Sequence, residues 1–216
     1  CTKTAKDIIH SGRIGTLMAM TGQWTVRKDS QYYEPHWRRQ VEAGPILTNL
    51  IHEIDLLRFI CGDIVMVSAE ITNHDQQFSK EDAVAIIMKF ANNAIGSFVL
   101  SDRTPTPWNW EMALGENAKF PKSEQNAIRF MGTKGSLEFP NLVLWSHSNA
   151  DGNWQDEIFP EEIETPFVDA YIAQCQHLCE VVRGTQQPII DVENGTKSLE
   201  VTLAVIRAAN EGTRVI

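Results

Sequence analysis

With 216 residues, 43% of them apolar, the chain is long enough to bury a substantial core. Its formal charge of −9 excludes nucleic acid and anionic membrane as principal partners, because both select basic surfaces. No apolar run approaches the ~20 residues of a membrane span and no signal-peptide pattern opens the chain, so a soluble, cytoplasmic protein is expected.

Residues 2–11 (TKTAKDIIHS) read as a short helix ended by Gly12, and residues 14–27 as a strand rich in β-branched and aromatic residues. Residues 28–43 (KDSQYYEPHWRRQVEA) turn polar and aromatic without a period, the signature of an ordered loop. The segment GPILTNLIHEIDLLRFICG (44–62) is a helix, with Leu47, Leu50, Ile51, Ile54, Leu57 and Cys61 on one face and Gly62 at its C-terminal cap. Thr48, His52, Asp55 and Phe59 form a second stripe, nearly opposite the first.

After Gly62 come three strand-like runs, IVMVSAEIT, DAVAIIMKF and AIGSFVLS, the last two joined by a tight turn at Asn92-Asn93. WNWEMALG, AIRFMG, SLEF and LVLWSH continue the strand character, and GTKG (132–135) supplies another turn. Helices over about 166–184 and 194–211 close the chain. This order predicts one α+β domain, a mainly antiparallel, open-faced sheet with helices packed on one face.

No G-x-G-x-x-G follows a strand and no G-x-x-x-x-G-K-[ST] occurs, so nothing in the sequence cradles a dinucleotide or a nucleoside triphosphate. Cys1, Cys61, Cys175 and Cys179 are too sparse for a disulfide framework and form no C-x-x-C. Buried, reduced thiols are expected, with Cys175 and Cys179 on the apolar stripe of their helix. His52-Glu53 lacks the second histidine of a zinc-protease helix, since Leu56 stands where it would be needed, and no metal site is expected.

His52 has two readings. An imidazole that titrates near neutrality is suited to take a proton from an alcohol, with Thr48 or Asp55 orienting it. The same spacing suits a structural histidine satisfied by Thr48 or Asp55, with Asp55 also in reach of Arg58, and spacing alone favours that role. YYEPHWRR (32–39) and PWNW (107–110) set tryptophan and arginine together, which suits either a sugar-binding surface or aromatics tucked under loops.

The ordered set of these segments resembles the C-terminal domain of the Gfo/Idh/MocA oxidoreductases (glucose–fructose oxidoreductase and inositol dehydrogenase). The matching pieces are S-G-R-I-G (11–15), Trp37-Arg38, G-P-I-L-T-N-L-I-H-E-I-D-L-L-R (44–58), Glu81-Asp82-Ala83 before a strand, G-T-K-G-S-L-E-F (132–139) and the C-terminal helix leading into G-T-R-V-I. P-W-N-W-E (107–111) and Gly115-Glu116-Asn117 point to one subgroup.

The resemblance implies that residues 1–216 are a single substrate-binding and oligomerisation domain. The N-terminal Rossmann domain, which would hold NAD or NADP and carry the family's Glu-Lys-Pro lysine, is absent from this chain. It agrees with this that the first residue is Cys1 rather than methionine and that no Glu-Lys-Pro occurs. The implied activity is NAD(P)-dependent oxidation of a hydroxyl on a sugar, inositol or related polyol, and the domain alone is expected to be inactive.

By the same resemblance His52 is the catalytic acid/base. Thr48 and Asn49 contact the substrate, and Trp37, Arg38 and Trp108 line the cleft. Many members place an aspartate four residues before the histidine, where this sequence has Thr48. The implied partners are a small sugar or polyol, the chain's own Rossmann domain and a second copy joined through the sheet face. The alternative is a ligand-sensing or regulatory member of the same family without turnover.

Overall fold

The computed structural model describes residues 1–74, 77–115, 119–149, 151–166 and 168–215. The Glu116-Asn117 part of the subgroup motif lies outside the described residues.

Eight strands form one sheet in the order β2-β3-β4-β1-β5-β6-β7-β8. The strands are β1 (Leu17–Thr25), β2 (Ile64–Thr72), β3 (Ala83–Phe90), β4 (Ile95–Ser101), β5 (Ile128–Gly132), β6 (Gly135–Phe139), β7 (Val143–His147) and β8 (Ile158–Glu162). Only the central β1–β4 pair is parallel; every other neighbouring pair is antiparallel. Two meanders, β2–β4 and β5–β8, are therefore joined through β1, and the α+β architecture is the one expected.

Alternation decides which face is covered. Val84, Ile86, Met88 and Phe90 of β3 are buried, as are Phe98 and Leu100 of β4, while Ile87, Ile95 and Val99 stay exposed on the opposite face. In β1 the register shifts between Leu17 and Ala19, which lets Leu17 and Met20, an odd number of residues apart, both face the core.

The covered face lies under α1 (Thr2–His10), α2 (Ile51–Cys61) and α5 (Val192–Glu211). Leu50, Ile54, Leu57, Ile60 and Cys61 form the buried stripe of the α2 segment, and Gly62 at φ 97° ends it in a conformation that side chains disfavour. Arg58 is buried between helices. It donates to the Asn194 carbonyl (2.8 Å) and Ser198 Oγ (2.7 Å) of α5 and to Asp63 (2.7 Å).

Three elements differ from expectation. WEMAL is a five-residue helix, α3 (Trp110–Leu114), not a strand: Asn109 Oδ1 accepts the Met112 N–H at 2.9 Å, and Gly115 takes the left-handed cap. β8 carries no apolar alternation, its five residues all being exposed, and so left no pattern to read. Helix α4 (Ala170–Val182) forms as predicted, yet its stripe is uncovered. Cys175 and Cys179 are exposed, Cys61 is buried and Cys1 half-buried. Helical spacing placed the two thiols on one face, but none of the described elements packs over that face.

Candidate active site

Helix α2 is entered through a π-helical turn, Ile46–Leu50, which widens the backbone next to the two polar residues that precede His52. The Thr48 hydroxyl lies within hydrogen-bond reach of the Gly44 carbonyl (3.0 Å) and of Asn49 Oδ1 (3.1 Å). Lys28, just beyond β1, donates to the same Oδ1 at 2.9 Å and to Tyr32 Oη at 3.2 Å. An ammonium has only donors, so Lys28 fixes the Asn49 amide with its oxygen toward the lysine and leaves the NH2 group free to donate elsewhere.

Asn49 and His52 open into a cavity of about 300 Å³ whose other walls are Trp24, Glu53, Trp110 and Glu111. His52 is exposed, and its ring forms no hydrogen bond among the described residues. Asp55 does not orient it, because its carboxylate accepts the Ser198 hydroxyl at 2.8 Å and faces α5. Thr48 does not either, its hydroxyl being committed to Gly44 and Asn49. The structural role that spacing favoured for His52 is therefore not the one the fold gives it. Across Lys28 lies a larger cleft of about 750 Å³, lined by Arg27, Arg39, Arg103, Tyr33 and Phe78 among others.

Glu53 is only 2% exposed, and its Oε1 accepts the Trp110 indole N–H at 3.0 Å. Burial pushes its carboxyl up from 4.5 to about 8; the indole bond opposes this and the nearby Glu111 adds to it. Glu111 is half-buried and also raised, chiefly by burial, while His52 and Lys28 pull it back down. The cavity thus combines an unpartnered imidazole, an aimed amide, two indoles and two carboxyl groups in different environments, a set suited to a hydroxylated molecule and to proton transfer.

A pH dependence of stability follows from Glu53. Between pH 4.5 and about 8 the folded protein keeps a proton that the unfolded chain releases. This contribution is therefore complete below 4.5 and is lost as pH rises through 8, with a slope of up to about 1.4 kcal/mol per unit. Glu53→Gln keeps the acceptor for Trp110 and removes the ionisation, so its urea midpoint should fall less over this range than that of the parent. Parallel curves would show that Glu53 is already ionised in the fold.

Of the residues singled out in the sequence, His52 and Asn49 line this cavity, and Thr48 supports Asn49 from behind. Arg38 stacks 4.2 Å from the Tyr32 ring and donates to the Tyr32 carbonyl at 3.0 Å, so it touches the residue that Lys28 holds. Trp37 (56% exposed) and Trp108 (41%) are outside the cavity lining. Trp110 is the tryptophan of the P-W-N-W segment that enters it. Trp24 and Lys28 were not singled out, and Glu53 and Glu111 appeared only within motifs and without a role at the site. Asn109 at a helix start with Gly115 at its end was the readable signal that Trp110 and Glu111 begin a helix.

The chain thus combines an open, mostly antiparallel sheet with a histidine-bearing helix packed on its covered face. The chain belongs to the GFO/IDH/MocA family, matching its C-terminal domain over residues 2–138. It is 26% identical over 225 residues to the 1,5-anhydro-D-fructose reductase of Ensifer adhaerens, covering 97% of this chain and 59% of that protein. It is 26% identical over 181 residues to the scyllo-inositol 2-dehydrogenase (NAD(+)) of Bacillus subtilis, covering 80% of this chain and 47% of that one. The chain thus spans about half the length of these relatives.

Among solved structures, a putative NADPH-dependent oxidoreductase of Desulfitobacterium hafniense superposes with a TM-score of 0.78 at 16% identity, over 99% of this chain and 60% of that one. The WlbA dehydrogenase of Bordetella pertussis, solved with NADH and UDP-GlcNAcA, gives 0.69 at 20% identity over 99% and 58%. These likenesses show the shared fold. Among the described residues, no helix is long and apolar enough to cross a membrane, and no cluster of His, Cys, Asp or Glu would hold a metal ion.

Proposed function

We propose that this chain is the substrate-binding part of an NAD(P)-dependent oxidoreductase that oxidises a hydroxyl of a sugar, inositol or related polyol in the cytoplasm. The carrying observation is the His52 imidazole, without a hydrogen-bond partner among the described residues and open to a polar cavity. The Asn49 amide is positioned to donate to a substrate oxygen, and the Trp24 and Trp110 rings offer apolar surface to the C–H face of a sugar. His52 takes the hydroxyl proton as the bound alcohol becomes a carbonyl.

The donor set around His52 fits the substrate, and nothing in the cavity would cradle a pyrophosphate. The dinucleotide is accordingly assigned to a Rossmann domain in the whole protein, where it supplies the hydride acceptor when bound. Trp37, Arg38 and Trp108 are assigned to the outer cleft that the second domain completes. The exposed Ile87, Ile95 and Val99 make the open sheet face the candidate surface for self-association.

The test is an assay of the whole protein, this chain with the rest of its natural sequence, on sugars and inositols with both NAD and NADP. Reduction of the cofactor by at least one polyol is expected. Ligand binding without any turnover across the panel would replace this reading with a sensing role.

A further inference from the structure

We propose that Glu111 is the charge partner of His52, a carboxylate from α3 that stabilises the imidazolium formed when His52 takes the substrate proton. The inference rests on the acid/base reading of His52 given above and adds a residue that its helix does not supply. Thr48 and Asp55, one turn away on either side, are spent on other partners.

Glu111 arrives from a different part of the chain and is held in place on both sides. Trp110, immediately before it, is tied to Glu53 of α2 through its indole N–H at 3.0 Å, and the start of α3 is fixed by the buried Asn109 through the Met112 N–H at 2.9 Å. Its carboxylate shares the cavity with His52 and forms no hydrogen bond among the described residues, while Lys28, like His52, favours its charged form. The other ionisable groups around the ring are accounted for. Glu53 of α2 is buried against Trp110, Asp55 of α2 faces Ser198 of α5, and Lys28 beyond β1 is bonded to Asn49 and Tyr32.

This leaves Glu111 as the carboxylate free to face the imidazole. The influence of His52 on its ionisation, which opposes the effect of burial, agrees with that placement. Glu111 acts through His52 and is a positioning residue. It takes no proton itself, since the hydroxyl proton goes to the imidazole and the carboxylate remains charged throughout.

Coupling between two charges is reciprocal, so it is measurable from either end and without catalysis. In protein carrying ¹³C-labelled glutamate carboxyls, with the Glu111 signal assigned by its loss in Glu111→Gln, the Glu111 midpoint should rise by about half a pH unit or more in His52→Gln. An unchanged midpoint would overturn the pairing.

In the whole protein, Glu111→Gln should lower kcat at least about tenfold while KM changes much less, and Glu111→Asp should restore part of the loss. A Glu111→Gln enzyme within twofold of wild type would also overturn it. The titration needs no turnover, so failure of the dehydrogenase assay would remove the acid/base reading while the NMR result still decides whether His52 and Glu111 are coupled.

Discussion

Replacing His52 by glutamine in the whole protein is expected to lower kcat by about 10²- to 10⁴-fold, the contribution of a positioned general acid/base. Glutamine has similar reach and still donates and accepts hydrogen bonds, but it cannot take up a proton near neutrality. Because His52 is exposed and has no hydrogen-bond partner among the described residues, little of the fold depends on it, and the melting temperature should stay within a few degrees. KM should change far less than kcat, since the Asn49 amide and the indoles remain. A variant with near-normal turnover would remove His52 from the chemistry and leave the cavity as a binding site alone.

The largest stability effect is expected beneath the lysine that aims Asn49. Lys80 and Asp102 are both fully buried, and the ammonium donates to the two carboxylate oxygens at 2.9 and 3.0 Å. The Asp102 backbone carbonyl in turn accepts the Lys28 N–H at 3.0 Å and the Tyr33 hydroxyl at 3.3 Å. This buried pair therefore underlies the segment that carries Lys28.

Lys80→Met removes the ammonium that bonds both Asp102 oxygens, leaves the buried carboxylate with Lys28 3.9 Å away, and should cost about 3–5 kcal/mol in urea unfolding. The double variant Lys80→Met/Asp102→Leu removes the stranded charge and should recover most of that loss. If the double variant is no better than the single, the cost belongs to packing around Lys80 and not to an unpaired charge. In the single variant, binding at the His52 cavity should also weaken, because Asn49 loses its firmly placed lysine.

The exposed face of α4 has a physical bearing on the whole protein. Tyr171, Ile172 and Leu178 are exposed in succession along the helix, with Cys175 and Cys179 among them. A run of this kind is usual where further protein packs. Helical spacing put Tyr171, Ile172, Cys175 and Cys179 on one apolar stripe. Burial is not a property of the stripe, however, but of what lies against it.

How much was legible in advance depended on range. Short-range patterns carried most of the fold. Alternation in AVAIIMKF gave β3 and its covered face, three- and four-residue spacing gave α2 and its buried stripe, and Asn92-Asn93 gave the β3–β4 turn, with Asn93 at φ 69°. The signals are local because a strand or helix repeats its side-chain direction every two or 3.6 residues. Where that repeat failed, so did the reading. The five residues of α3 are too few for a helical period, and β8 has no buried face.

The sequence by itself determined the α+β class and the covered faces of β3 and α2, and through the ordered motifs around it singled out His52 as the candidate acid/base. Only the tertiary structure decided the company His52 keeps. Glu53 and Trp110 meet across 57 residues, Asp55 turns to a serine 143 residues away, and Lys28 reaches Asn49 from beyond another element. No local period encodes such pairs. They exist because the fold brings the end of β1, the start of α2 and the start of α3 together, where their side chains line one cavity.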